Sequence, residues 1–265
     1  MTLLPPNPPS PHLALLLAYD GSAYRGWQVQ PGAPTIQGAL TEALRPLAGA
    51  GVRVTGASRT DSGVHALGQV ASVTTERPLS AAVTQAALNA RLPRDVRVVA
   101  ARAVASGFDA RRSARLKRYG YLLWRAPVPS PFLLRYAWHV CEPLNVAAVR
   151  AALAPLRGKH DFSAFQAAAG RDRLPLCRVR AVRLVERGSL LAVVVSADAF
   201  LHHMVRNIVG SLLEVGRDRR PPGWIAEVLA GRDRRLAGPT APAHGLFLLS
   251  VRYPEPLFPG GSRGV

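Results

Sequence analysis

Apolar residues fall in short runs broken by Gly, Pro and charge, and the spacing within each run separates strand from helix. Leu13 to Tyr19 is a continuous apolar run ended by Asp20-Gly21, which predicts a buried strand and a turn. Thr35 is placed to cap a helix whose Ile36, Leu40, Leu44 and Leu47 share one face. Val52 to Ser58 and His65 to Thr74 read as strands around a polar loop. Ser80 starts a second helix with Val83, Ala87 and Leu88 turned inward, and Val96 to Val104 returns as a strand. That order, β-α-β-β-α-β, is the split-βαβ or ferredoxin-like arrangement.

The second half runs through a similar order. Leu116 to Trp124 predicts a strand, and Asn145 caps a helix through Leu156. Arg178 to Val185 and Leu190 to Ala197 form a hairpin over Arg187-Gly188-Ser189. A helix from His202 to Val215, a shorter one over Trp224 to Leu229 and a strand over Gly245 to Tyr253 complete it. Leu190 to Val195 is apolar on both faces, which suits a sheet covered by helices. The expected fold is α+β: two similar ferredoxin-like halves, mainly antiparallel sheet, and an active-site cleft between them. Residues 12–110 form the first half and 111–253 the second. The Pro-rich start, 1–11, and the Pro- and Gly-containing end, 254–265, read as flexible tails.

Charge adds the first hint of function. The 265 residues carry 34 basic and 16 acidic side chains, a net +18, and only Lys117 and Lys159 are lysines. Up to residue 132 there are 15 basic and 6 acidic residues, and after it 19 and 10, so the charge is spread through the body. A field this positive points to a polyanionic partner, most simply nucleic acid. Two cysteines, Cys141 and Cys177, make neither a disulfide framework nor a thiolate metal site. No apolar run approaches the roughly 20 residues that span a bilayer, and the start lacks the pattern of a signal peptide. A soluble cytoplasmic protein with no membrane partner is expected.

Four segments hold more special residues than a core requires. Tyr19 to Pro31 interleaves Tyr19, Tyr24 and Trp27 with Gly, Gln and Arg, which suits either base contact or aromatics packed at a sheet edge. Ala57 to Ala66 places Asp61 beside Arg59 in a tight loop where Gly63 permits close backbone approach. Asp61 there is either a nucleophile held ionised by cations or an ordinary turn residue. In Ala199 to Gly210, Arg206 lies beside an apolar helical stripe and needs a partner if buried, for which Asp61 is attractive. Adjacent His202 and His203 cannot both face one metal from a single helical stripe, so no metal site is expected. Finally, Lys117, Tyr119 and Tyr121 share one face of a strand preceded by Arg111, Arg112 and Arg115, which suits stacking on a base or a charged edge strand.

Together these segments resemble the tRNA pseudouridine synthase A family over nearly all of Tyr19 to Tyr253. Tyr19-Asp20-Gly21 with Gly26-Trp27-Gln28 is similar to the family's opening, and Arg59-Thr60-Asp61 with Gly63-Val64-His65 to its catalytic loop. Arg118-Tyr119 resembles the tyrosine strand, His160-Asp161-Phe162 a mid-chain marker and Met204-Val205-Arg206 the late helix. Ala241-Pro242-Ala243 followed by Gly245-Leu246 resembles the closing segment. Ser58 and Ser62 stand where glycine and alanine are common, and the scarcity of lysine is another departure.

The resemblance implies isomerisation of uridine to pseudouridine in the anticodon stem-loop of tRNA, around positions 38 to 40, by a homodimer. It implies that Asp61 is the nucleophile, that Tyr119 stacks on the target uracil, that Arg206 pairs with Asp61 and that Leu246 walls the pocket. Arg59, Val64 and His65, flanking Asp61, belong with the substrate-binding residues. Attack at the sugar C1′, attack at the uracil C6 and a glycal route all fit these residues. Both reacting parts come from one substrate, so no cofactor is expected, in keeping with a sequence that has no Walker loop or Rossmann fingerprint. Two other readings stand beside this one: a non-catalytic RNA-binding module, and a metal phosphohydrolase built from His65, His160-Asp161 and His202. The first lacks an RNP1-like aromatic motif, and the second lacks metal-ligand spacing.

Overall fold

The computed structural model describes residues 8–167 and 174–258. The chain divides into two compact units, one holding the residues up to Arg115 and from Leu248 onward, the other Leu116–Phe247. Both are mixed α+β with mostly antiparallel sheet.

The first unit runs β1 (Ser10–Tyr19), α1 (Ile36–Ala48), β2 (Arg53–Gly56), β3 (His65–Leu79), α2 (Ala81–Arg91) and β4 (Val96–Ala103). β1 lies between β4 and β3, β2 pairs with β3, and all three pairings are antiparallel. Leu13, Leu15 and Leu17 of β1 are fully buried, as a central strand requires. Thr35 caps α1 as its sequence predicts, its hydroxyl accepting from the Gly38 amide at 3.2 Å. Ile36, Leu40 and Leu44 line the buried face of α1. In α2 the inward face is Ala81, Thr84 and Leu88, and Val83 is 65% exposed, contrary to its expected position. One residue is about 100° of helix, enough to move Val83 off the stripe.

The second unit runs β5 (Leu116–Trp124), β6 (Trp138–His139), α3 (Val146–Ala151), β7 (Gly158–Asp161), β8 (Leu176–Arg187), β9 (Leu190–Ala197), α4 (Met204–Gly216) and α5 (Trp224–Gly231). Its sheet has the order β5-β9-β8-β7, antiparallel throughout, with β6 parallel to β5. β5 and β9 have the predicted bounds. β6 and β7 were not predicted, being only two and four residues long. β10 (Leu246–Arg252) begins in this unit and continues into the first, where it neighbours β3.

Part of each expected tail belongs to the fold. β1 already includes Ser10 and Pro11, and the Thr75 hydroxyl donates to the Pro11 carbonyl at 3.2 Å, a bond that needs no proline N–H. At the other end, Leu257 and Phe258 pack with Leu16, Phe108 and Tyr253 over Ala57, Val70 and Ala110. Arg102 donates to the Leu257 carbonyl at 3.0 Å. The rest of the two expected tails, 1–7 and 259–265, lies outside the described residues.

Candidate active site

In the first unit, the Asp61 loop is held from three sides. Gln69 of β3, fully buried, accepts from the Ser58 amide at 3.2 Å and donates to the Ser58 carbonyl at 2.6 Å. The Tyr19 hydroxyl at the end of β1 shares a 2.8 Å hydrogen bond with Thr60, and burial pushes that phenol well above its ordinary pKa. The Trp27 amide donates to the Thr60 carbonyl at 3.0 Å, and the Gly63 amide to Tyr24 at 3.3 Å. Asp61 itself is half-buried, with Arg59 exposed two residues before it.

The opening segment is therefore the cradle of this loop. Tyr19, Tyr24 and Trp27 are all buried and each also hydrogen-bonds to this loop, which decides for packing over base contact. Two glycines make the approach possible. A Cβ on Gly21 would lie 2.0 Å from the Val64 carbonyl oxygen, and one on Gly26, at φ +88°, 2.6 Å from that of Thr60. Val64 and His65 are each 1% exposed. The Gly21 amide donates to His65 Nδ1 at 3.1 Å, and Asp20 Oδ1 lies 3.1 Å from the same nitrogen. Gln69 and Thr60 were missed as site residues, although a lone glutamine within an apolar strand was a usable signal.

The second unit brings Tyr119, Arg206 and Leu246 onto neighbouring elements. Tyr119 of β5 is buried and packs edge-on against the Phe200 ring, centroids 4.8 Å apart. His203, with φ 61°, turns the chain into α4, so His202 and His203 precede that helix and Arg206 falls in its first turn. Arg206 Nε donates to the Ala241 carbonyl at 2.7 Å, and the Ala241 amide donates back to the Arg206 carbonyl at 3.1 Å. The Tyr121 hydroxyl donates to the Pro242 carbonyl at 2.8 Å, and Leu246 is 6% exposed just beyond.

One network beneath Arg206 was not anticipated. Asn207, fully buried, donates to the Phe165 carbonyl at 2.8 Å and accepts from Thr240 at 2.7 Å and Arg234 at 3.2 Å. It locks α4 to the closing segment, and so fixes where Arg206 starts. Charge is felt nearby. Burial raises the Tyr121 phenol and Arg206 partly offsets this. Burial lowers the His244 imidazole, the cation of Arg206 lowers it further, and a hydrogen bond to the Ala137 backbone opposes both.

The first unit thus holds a half-buried carboxylate on an anchored loop, and the second a buried tyrosine and an arginine in the first turn of a helix. The family model for tRNA pseudouridine synthase matches residues 16–111 and 152–254. The first stretch contains Asp61 and its cradle, the second Arg206 and Leu246, and Tyr119 falls between them. A tRNA pseudouridine synthase A of Myxococcus xanthus is 47% identical over 256 residues, covering 95% of this chain and 97% of that protein. Proteins of the same name are 45% identical in Moorella thermoacetica, over 92% of this chain and 100% of the relative, and 44% identical in Bordetella petrii, over 92% of each. The chain belongs to the tRNA pseudouridine synthase A family.

Proposed function

We infer that this protein isomerises uridine to pseudouridine in the anticodon stem-loop of tRNA. The observation that carries the reading is the Asp61 loop, in which buried residues hold the backbone on both sides of a half-buried carboxylate, in a chain of this family. Such a loop has aiming a side chain as its evident purpose; a plain turn needs no triple anchoring.

Asp61 acts as the nucleophile. The glycosidic bond from uracil N1 to C1′ breaks, the base turns, C5 bonds to the same C1′, and the C5 proton leaves as N1 gains one. Atoms and electrons balance within the one substrate. Arg206, in the first turn of α4, is the second catalytic residue. Tyr119 stacks on the extruded uracil, Leu246 forms an apolar wall, and exposed Arg59 meets the flanking RNA backbone. Val64 and His65 hold the loop from below. Extruding the base costs a few kcal/mol, which phosphate contacts from the many arginines offset. Each half is of the ferredoxin-like βαββαβ kind. The enzyme acts in the cytoplasm as a homodimer; among the described residues, no helix is long and apolar enough to cross a membrane.

The test is nucleoside analysis of an unmodified tRNA transcript incubated with the purified protein and no added cofactor. Pseudouridine at the anticodon stem-loop is the expected product. Tight binding with no product would overturn the reading in favour of an RNA-binding module.

A further inference from the structure

β8 alternates in burial along its length. Cys177, Val179, Val182 and Leu184 are buried, whereas Arg178, Arg180, Arg183 and Arg187 are exposed. The register shift between Val179 and Ala181 accommodates Arg180 as an extra residue, so the arginines stay on one side through the bulge. Lys159 on β7, also exposed, sits directly across from Arg178 and adds a fifth cation. The outward residues of β9 beside them, Leu190, Ala192 and Val194, are half-buried and uncharged.

None of these five side chains makes a hydrogen bond or ion pair with a described residue. Two acids close to them in sequence have other partners. Glu186 meets Arg125 at 3.3 Å and Arg150 at 2.6 Å, and Asp198 accepts from the Arg178 backbone amide at 2.9 Å. Like charges directly opposite one another weaken a strand pair, so a stable fold alone gives no reason for Lys159 to face Arg178. Outward positions two residues apart on a strand are about 6.6 Å apart, comparable with the step between successive phosphates on an RNA strand. Guanidinium groups bind phosphate through a planar fork.

The face is also distinct from the one that carries Tyr119. Tyr119 pairs with Val195, and Val195 with Val182, all three on the buried side of the sheet. A nucleotide stacked on Tyr119 cannot at the same time lie on the arginines. We propose that this arginine face is a docking surface for the sugar–phosphate backbone of tRNA outside the anticodon stem-loop. The proposal rests on the reading of tRNA as substrate and adds where the rest of that substrate is held.

The test is a full-length protein with Arg178→Gln, Arg180→Gln, Arg183→Gln and Arg187→Gln combined, checked for an unchanged thermal midpoint. Affinity is measured over a salt series for a complete tRNA transcript and for the isolated anticodon stem-loop. The complete tRNA should lose about 10-fold or more in affinity, and its log–log salt slope should shrink by about 2–4 units. Affinity for the isolated stem-loop should stay the same, and the Arg→Lys version should keep most of the salt slope. Unchanged binding of the complete tRNA would overturn the proposal, as would equal losses on both RNAs. So would a changed oligomeric state with RNA affinity intact, which would make the face a protein interface. Binding is read apart from product, so a wild-type protein that binds tRNA but makes no pseudouridine would fail the catalytic reading and leave this one standing.

Discussion

A polar side chain in the middle of an apolar strand must be satisfied, and Gln69 is satisfied by the loop that carries Asp61. Its amide bonds both the N–H and the C=O of Ser58, so replacing it with leucine removes two buried hydrogen bonds. Gln69→Leu should cost about 2–4 kcal/mol of stability, and turnover should fall far more than tRNA affinity. Equal losses in both would mean that Gln69 supports the fold without aiming the loop. His244 gives a prediction in pH. Its native pKa lies below the ordinary 6.5, so as pH falls through 6.5 the unfolded chain takes up a proton that the native state refuses. Its contribution to stability is unchanged above that pH and declines in the window from 6.5 down to the native value. Melting curves of the wild type and His244→Gln should therefore run parallel above about pH 7 and separate in acid, the wild type losing more. Parallel curves down to about pH 5 would contradict the assignment.

Elements place these residues through close backbone approach, and the opening turn shows how little room there is. Gly26→Ala would put a Cβ 2.6 Å from the Thr60 oxygen at a positive φ. A cost of about 1–3 kcal/mol is expected from the strained backbone alone, with turnover reduced because Thr60 precedes Asp61. Calorimetry and single-turnover rates on one preparation check both. Most elements were legible from periodicity: β1, α1, β5 and β9 lie almost where their apolar spacing puts them. β6 and β7 were not, because a pairing of two to four residues is decided by the neighbouring strand and leaves no local pattern. Val83 misled for a related reason, since α2 chose the face holding Thr84 and left a valine in water. The polar loop that holds Arg59 and Asp61 between two strands could be read directly. The role of Tyr19, Tyr24 and Trp27 could not, because an aromatic turn suits a base or a sheet edge equally until the loop it cradles is known. Asn207 stayed hidden because its partners, Phe165, Arg234 and Thr240, are far from it in sequence.

At the scale of the molecule, +18 of net charge is carried by both halves of the sequence, which suits a substrate much larger than the nucleotide it presents for reaction. The first unit supplies a carboxylate on an anchored loop, and the second a buried tyrosine and an arginine at the start of a helix. Asp61→Asn keeps the size and shape of the side chain and replaces its carboxylate with an amide, so the cradle of Gln69, Tyr19 and Trp27 should remain intact. The measurement is single-turnover pseudouridine formation at saturating enzyme, with tRNA affinity and melting temperature taken from the same preparation. The Asp61→Asn protein should fold, bind tRNA as the wild type does and form no pseudouridine; pseudouridine formed by it at the wild-type rate would contradict the account.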